Sequence, residues 1–585
     1  MWQKRANGFL IFYLIIFSLL LIRLMQVQLF ETETFTSRNI NLLEESVKQR
    51  AQELVIDNGR GEFLDRNGRL MTEKKTNVLV LFPFLKKIAW DVKSVSSITG
   101  ISKNNLMYAI NKAKKPFSYG DPLPISLSST QMKKINELKI PGVFAVERKF
   151  PIKNIPAEQL IGLAAENPSE IKKRYPNKSL SSQTPIGISG LEESFDEFLL
   201  PEGKSSLIYH VDGDGAPLFG LNVRYTDPAN PFYPVNIKTT VDKDIQEKAE
   251  ELASVYGIKK GGLVLLDIQD NSVLAMVSRP SINKKNPYSG GGMSNMMLKQ
   301  QIMGSVFKTV VAAAAIDYNL DSPARSFDCS KKINGKQDEQ HQYGNLDFST
   351  SFAVSCNRAF GQLAVELKNI NPKILDDYAE RLSLTGPVGW EGDVYHTSHF
   401  RQMKEEEKGR VFRSDQDRLD ANFVAMSGIG QHEVRATPLG VASMMATIAR
   451  GGDKKMIKAV SAIEYKNHSQ LIQFPDKAIA GDTIAPYTAM ELQKLLRRVI
   501  TDERGTGRWF QNLPYEVAGK SGTAETGRFV DGNQLHNKWF AGYFPYQNPR
   551  YALVVVNLDV YENEGGINPL FADMVKWLYE NKSSQ

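Results

Sequence analysis

Three short patterns in this sequence put hydroxyls, amines and an amide at spacings that acyl transfer can use. Ser305-Val-Phe-Lys308 places a serine and a lysine one helical turn apart, on one side of a helix. A serine hydroxyl attacks a carbonyl well only when a base removes its proton. A lysine serves as that base only when burial or a nearby cation lowers its pKa. Ser355-Cys-Asn357 offers a hydroxyl for relaying protons and an amide for holding a peptide group. Ser and Asn two residues apart do not share a helix face, so this pattern fits a turn or a helix edge. Lys520-Ser-Gly-Thr523 offers an amine and two hydroxyls to a substrate carboxylate, and its glycine permits a close approach to the backbone.

Each pattern alone is weak. Ser169-Glu-Ile-Lys172 and Ser281-Ile-Asn-Lys284 repeat the first, and Ser37-Arg-Asn39 repeats the second. Neither serine–lysine decoy precedes a long apolar helix. Gly519-Lys520-Ser521 ends like a phosphate-binding loop, but Pro514 stands where that loop needs its first glycine. His432-Glu-Val-Arg-Ala436 lacks the second histidine of a zinc-protease motif, and Gly428-Ile-Gly430 lacks the third glycine of a dinucleotide fingerprint. Nothing suggests nucleic-acid readout.

The elements that must hold these residues are legible too. Val306 to Ile316 is a strongly apolar helical run, and its N-terminus at Ser305 favours a developing oxyanion. Asp242 caps a helix running to about Tyr256. Val235–Val241, Gly262–Asp267, Ser272–Val277, Trp539–Phe544 and Tyr551–Asn557 read as strands, and about 569–580 as a closing helix. Lys520 falls on a strand edge or turn. The pattern predicts an α+β domain with helices packed on an antiparallel sheet. Upstream, Val55 to about Leu85 reads as strand, turn, strand around Asp65-Arg-Asn-Gly68. The proline-rich Pro228–Pro234 marks the break between this half and the next. Residues 400–420, with the charged run Glu405-Glu-Glu-Lys408, read as a solvated loop.

The 585 residues suffice for two or three domains, and 42% apolar with 23% charged residues is an ordinary folded composition. A formal charge of +7 reads as a normal solvated surface. Two cysteines cannot form a framework of several disulfides or a four-cysteine zinc site. Lys4 and Arg5 precede an uncharged stretch from Ala6 to Ile22, which Arg23 interrupts and Leu24–Phe30 continue. No small-residue cleavage site follows. This predicts an uncleaved single-pass anchor with a cytoplasmic N-terminus and everything else outside. A polar, helix-compatible stalk follows over 31–55.

Taken together, in this order and within one domain, the three motifs resemble those of penicillin-binding proteins and serine β-lactamases. Their flanks resemble the class B, monofunctional penicillin-binding proteins. These flanks are Gly304-Ser-Val-Phe-Lys308, Ser355-Cys-Asn-Arg-Ala-Phe360, Gly428-Ile-Gly-Gln431 with Ala436-Thr-Pro-Leu439, Lys520-Ser-Gly-Thr-Ala-Glu525 and Trp539-Phe-Ala-Gly-Tyr543. The first half resembles their pedestal domain at Arg60-Gly-Glu-Phe-Leu-Asp-Arg-Asn-Gly68, Arg148-Lys-Phe-Pro151 and Gly187-Ile-Ser-Gly-Leu-Glu192 with Phe195-Asp196. No segment resembles the glycosyltransferase domain of class A relatives. One departure is Met303, where the family usually has proline, which bears on loop rigidity and not on chemistry.

The resemblance implies a cytoplasmic tail over 1–7, an anchor over 8–30, a pedestal over 31–234 and a transpeptidase domain over 235–585. It implies a peptidoglycan D,D-transpeptidase acting on the D-Ala-D-Ala end of stem peptides. Ser305 would be the nucleophile, Lys308 its base and Ser355 the relay. Asn357, Lys520, Ser521 and Thr523 would bind substrate, and the N–H groups of Ser305 and Thr523 would form the oxyanion hole. It also implies acylation by β-lactams, a membrane glycosyltransferase partner, and no metal or cofactor. Three alternatives stand beside it: a D,D-carboxypeptidase, a β-lactamase and a non-catalytic scaffold for wall synthesis.

Overall fold

The computed structural model describes residues 2–33, 41–42, 45–46, 50–178, 180–212, 223–228 and 230–582. Of the expected helix-compatible stalk over 31–55, residues 34–40, 43–44 and 47–49 lie outside the described residues, and its end is instead a strand, Ala51–Asp57. Trp2–Met25 is a helix whose side chains, wherever described, are exposed. Asn7–Phe30 is long and apolar enough to cross a membrane. The chain therefore carries one apolar N-terminal helix consistent with a membrane anchor.

The rest forms two compact units, and they do not follow a single cut in the chain. One takes residues up to Arg60, Glu73–Pro151 and Pro201–Pro231; the other takes Gly61–Thr72, Ile152–Leu200 and Phe232 onward. In the first unit, Glu73–Leu81 pairs antiparallel with Val143–Pro151 over nine residues, and Phe117–Ser118 extends that sheet. Three short helices pack near it. Asp91 caps Val92–Thr99, Ser102 caps Lys103–Lys112, and Ser128 with Gln131 forms a reciprocal capping box on Ser129–Glu137. A second sheet pairs Ala51–Asp57 with Ser205–His210.

The second unit is built on a five-stranded antiparallel sheet. Its strands are β1 (Gly261–Asp267), β2 (Ser272–Arg279), β3 (Ala518–Val530), β4 (Asn533–Phe544) and β5 (Tyr551–Val560), in spatial order β2-β1-β5-β4-β3. Every residue of β1 is buried, and so is all of β5 except Asp559. Both faces are therefore covered, which explains why these strands read as continuous apolar runs rather than alternating ones. The helices are α1 (Lys243–Val255), α2 (Lys308–Asp317), α3 (Phe348–Ala353), α4 (Asn357–Ile370), α5 (Ala421–Gly428), α6 (Pro438–Ala449), α7 (Pro486–Thr501) and α8 (Ile567–Lys582). Helices α1 and α8 pack on the sheet and on each other, α6 packs against β1, β4 and β5, and α2 sits among α4 and α7.

Asp242 caps α1 by accepting from the Asp244 and Ile245 amides, as the sequence predicts. Helix α2 is buried from Lys308 to Ile316, and a helix that is apolar all round belongs inside a core. Val310 and Val311 are fully buried; each contributes about 1.5–3 kcal/mol. A charge at Val311 would remove that and leave a desolvated ion in its place.

Two segments that read as pedestal fold with the sheet-bearing unit. Glu62–Leu64 pairs in parallel with Asn236–Thr239. Asp65 is fully buried and accepts from the amides of Asn67 and Arg69 and from the Arg69 guanidinium. Arg69 in turn reaches Asp244 in the first turn of α1. The Asp-Arg-Asn-Gly turn is thus tied to the sheet-bearing unit by an ionic chain.

The expectation of a solvated loop at Glu405–Lys408 is corrected. Glu406 is 6% exposed and accepts from the backbone amides of Val388 and Gly389. A carboxylate that caps two buried amides resembles a surface charge in sequence, because its partners lie elsewhere in the chain.

Candidate active site

Ser305 and Lys308 sit at the entrance to α2. Gly304–Phe307 is a tight 3₁₀ turn, and Lys308 opens the α-helix proper. The sequence reading began the α-helix at Ser305; the tighter turn keeps residues three apart on one side, since i and i+3 eclipse in a 3₁₀ helix. Gly304 adopts φ +56°, and a Cβ there would lie 2.4 Å from the Thr523 carbonyl oxygen. Gly430 comes just as close on the other side, where its carbonyl accepts from the Gly304 amide at 3.0 Å. The serine loop is therefore clamped between β3 and the Gly428–Gly430 turn. Met303 is fully buried with φ −98°, and the preceding Ile302 carbonyl accepts from the Trp539 indole at 3.0 Å. The loop is fixed by these contacts without the proline usual in the family.

Ser355 and Asn357 lie at the break between α3 and α4. The Cys356 amide donates to the Ser351 carbonyl and the Ser355 amide to that of Phe352, a Schellman ending of α3. That ending needs a left-handed residue, usually glycine; here it is Ser355, with φ +61°. Asn357 then begins α4. Arg498 of α7 fastens α3 by donating to the Ser349 and Thr350 hydroxyls. Cys356, between the two motif residues, forms a disulfide with Cys329. The sequence excluded a framework of several bridges, and a single bridge is what forms.

Lys520, Ser521 and Thr523 lie on β3, where Lys520 faces Ala541 and Thr523 faces Lys538 of β4. Alternation turns Lys520 inward, fully buried, while Ser521 is half-buried and Thr523 exposed.

The structure brings all three motifs to one hydroxyl. Lys308 Nζ donates to the Ser355 carbonyl at 2.6 Å and to Asn357 Oδ1 at 2.7 Å, and lies 3.0 Å from Ser355 Oγ. Lys520 Nζ is also 3.0 Å from Ser355 Oγ and 3.1 Å from the Ser521 carbonyl. The faces of Phe360 and Phe352 lie against the Lys308 and Lys520 Nζ atoms respectively. Neither lysine has a carboxylate within ion-pair distance among the described residues. Burial, and then the positive charge of Lys520, holds Lys308 well below the ordinary lysine pKa. Burial pulls Lys520 down to about 7.

This arrangement suits a neutral amine. The Ser355 carbonyl and Asn357 Oδ1 only accept, so the two N–H groups of a neutral Lys308 satisfy them and leave its lone pair free. Ser305 Oγ, half-buried, makes no hydrogen bond among the described residues.

Two residues that the sequence reading did not single out belong to the site's frame. Ser521 Oγ donates to Thr506 Oγ1 at 2.8 Å, and the Glu525 amide donates to Gln431 Oε1 at 3.1 Å. Gln431 stood in a recognised flank, but Thr506 had no sequence pattern to mark it. The decoys at Ser169 and Ser281 take no part in this cluster.

An antiparallel sheet backed by a buried serine–lysine helix is the layout of a transpeptidase-type domain. Residues 261–575 match the family model of the penicillin binding protein transpeptidase domain, and residues 55–230 that of the penicillin-binding protein dimerisation domain. The chain belongs to this family, as a class B penicillin-binding protein of the D,D-transpeptidase group. Peptidoglycan D,D-transpeptidase MrdA of Haemophilus influenzae is 26% identical over 57% of this chain and 54% of its own length. Penicillin-binding protein PbpB of Mycobacterium tuberculosis is 24% identical over 70% of this chain and 62% of its own. MrdA of Salmonella typhimurium is 22% identical over 85% of this chain and 84% of its own. The matches thus span a little over half the length of the first relative and more of the others.

Among solved structures, a chain from a work on "structural coordination of polymerization and crosslinking by a peptidoglycan synthase complex" superposes with TM-score 0.65 at 22% identity, over 99% of both chains. Penicillin-binding protein 2b of Streptococcus pneumoniae gives 0.59 at 17% identity, over 91% of this chain and 99% of its own. At these identities the likeness establishes the fold.

Proposed function

We propose that this chain is a membrane-anchored D,D-transpeptidase that cross-links peptidoglycan stem peptides through an acyl-enzyme on Ser305. The observation that carries this reading is the convergence of two buried lysines on Ser355, with Ser305 one 3₁₀ turn before Lys308.

Neutral Lys308 takes the Ser305 proton as Oγ attacks the penultimate D-alanine carbonyl. The oxyanion is received by the N–H groups of Ser305 and Thr523. The tetrahedral intermediate collapses and breaks the peptide bond. The proton passes from Lys308 through Ser355 to the departing D-alanine nitrogen. Ser521 and Thr523 hold the terminal carboxylate, with Lys520 behind them, and Asn357 holds the peptide amide. An amine from a neighbouring stem peptide then attacks the acyl-enzyme, loses a proton to the same relay and leaves Ser305 free. β-Lactams would stop at the acyl stage.

The N-terminal helix would anchor the chain with Lys4 and Arg5 in the cytoplasm, and the disulfide suits an oxidising exterior. The class B family has no polymerising domain of its own. The structural relative drawn from a complex of polymerization and crosslinking supports a membrane glycosyltransferase as partner.

The test is intact-mass measurement of the full chain in detergent after incubation with benzylpenicillin. A one-to-one adduct that disappears in Ser305→Ala is expected. An unshifted wild-type mass, or an adduct that persists in the variant, overturns the assignment.

A further inference from the structure

The net charge of the chain is not spread over its surface. Residues 83–142, in the first unit, hold ten lysines, no arginine and three carboxylates. Sixty of the 585 residues thus carry as much net positive charge as the whole chain, +7. All ten lysines are exposed. The three carboxylates are engaged locally. Asp91 caps a helix, Asp121 accepts from the Ser118 amide and pairs with Arg148, and Glu137 meets Lys133. Lys112, Lys114 and Lys115 make no ion pair or hydrogen bond among the described residues.

The fold sets apolar side chains among these charges. Tyr108 and Lys112 lie one turn apart on the outer face of the helix Lys103–Lys112, whose Leu106 and Ile110 are buried. That helix packs on the turn Pro83–Lys87, which adds Lys86 and Lys87. Lys114 and Lys115 lead from its end into Phe117–Ser118, an edge strand of the sheet. The next loop is laced along the same edge: the Tyr119 amide donates to the Leu79 carbonyl, and the Leu127 amide to that of Asn77. Between those ties the Leu123 amide donates to Gly120 and the Ile125 amide to Tyr119. The loop so held leaves Leu123 86% exposed and Ile125 44% exposed, while Tyr108 is 69% exposed.

We infer that this lobe is a docking surface for the anionic headgroups of a lipid bilayer, with Leu123 and Ile125 entering the interface. This rests on the reading of Asn7–Phe30 as a membrane anchor, which would keep the lobe tethered to a bilayer. A lysine close to an anionic membrane favours binding about fivefold, and apolar side chains among the lysines add burial at the headgroup boundary. A soluble polyanion would use the lysines and leave Leu123 in water, whereas a bilayer uses both.

The test is made on the full chain reconstituted in lipid nanodiscs, with a nitrobenzoxadiazole label on Leu123→Cys. The native cysteines are paired, so the label enters at that position alone. In discs with about 30 mol% phosphatidylglycerol at low salt, its emission should shift to the blue and rise severalfold over discs of phosphatidylcholine alone. Raising NaCl to about 0.5 M should reverse the change, because salt screens the lysine charges. Lys112→Glu/Lys114→Glu/Lys115→Glu should abolish it, and the same label on Tyr288→Cys, an exposed position of the sheet-bearing unit, should not respond. Emission indifferent to lipid charge, a response that the triple variant keeps, or one shared by the Tyr288 label overturns the inference. A response to soluble polyphosphate with none to phosphatidylglycerol also overturns it and assigns the lysines to a soluble anionic polymer. Co-elution of the chain with the discs reports separately on the anchor: an embedded chain whose label ignores lipid charge refutes the lobe alone.

Discussion

Two regions of the sheet-bearing unit take charged side chains out of water, with opposite consequences. At the catalytic cluster, Lys308 and Lys520 are fully buried among neutral acceptors and beside each other. Burial lowers both pKa values and favours uncharged amines. Under the 388–406 segment, Glu406 is buried against two amide donors, and burial raises its pKa to about 7 even though those amides oppose the shift. Desolvation disfavours the ion in both places. What differs is what the neighbours want. The lysines share a hydroxyl that can move a proton, whereas the Glu406 hydrogen-bond partners are fixed backbone amides that only donate, with Arg401 a more distant 3.9 Å away. The first region is poised for chemistry and the second for holding a loop.

The sharpest way to break this contrast is to remove the amine proposed as the base. Lys308→Met should slow benzylpenicillin acylation of Ser305 about 10³-fold, the scale of a lost general base. Stopped-flow acylation kinetics measure it, and a loss below tenfold would remove Lys308 from the role of base. The pH profile sharpens the point. Acylation should rise with pH along a limb that lies below the ordinary lysine range. Lys520→Gln should move that limb to higher pH, because removing a like charge lets Lys308 hold its proton longer. An unmoved limb would mean that the two amines do not sense each other.

The disulfide comes next in size. Cys329 and Cys356 close a loop of 27 residues, so a Cys329→Ser/Cys356→Ser pair should lose about 2–4 kcal/mol in denaturant unfolding. It should also slow acylation, since Cys356 stands between Ser355 and Asn357. Unchanged acylation in a destabilised variant would reduce the bridge to a simple staple.

Glu406 gives a pH-dependent effect of similar or smaller size. Its folded pKa of about 7 lies above the ordinary 4.5, so its contribution to stability is full below pH 4.5. That contribution declines as pH rises toward 7 and is gone above it. The span of the decline is at most about 3 kcal/mol. In Glu406→Gln, stability between pH 5 and pH 8 should lose this component, as urea unfolding at each pH would read. An unchanged slope would assign the decline to other groups.

The two regions also differ in how far the sequence discloses them. The candidate site residues announce themselves by redundancy: three patterns in one order, each beside an element that periodicity makes visible. The buried α2 and the continuous apolar strands are legible because every residue reports the same environment. Glu406 has no such support. Its donors, Val388 and Gly389, lie 18 and 17 residues earlier and contribute only backbone, which leaves no mark in residue type. Thr506 and the Cys329–Cys356 pair were hidden for the same reason, since each is defined by a contact across the fold. The membership of Gly61–Thr72 in the sheet-bearing unit likewise depends on parallel pairing with a strand some 170 residues away.

Ser355 joins both themes, because its backbone is strained and its hydroxyl meets both buried lysines. Left-handed geometry costs a non-glycine residue about 1–2 kcal/mol, and the Schellman ending of α3 imposes it here. Ser355→Gly and Ser355→Ala both remove the hydroxyl that Lys308 and Lys520 share, so both should lose most acylation. They should separate in stability: the glycine variant should unfold about 1 kcal/mol later than the alanine variant, because only glycine relieves the strain. Equal stabilities would show that the turn accommodates a Cβ freely. Ser355 would then be held in place by its hydroxyl contacts alone, and the backbone would have no part in presenting it to the two lysines.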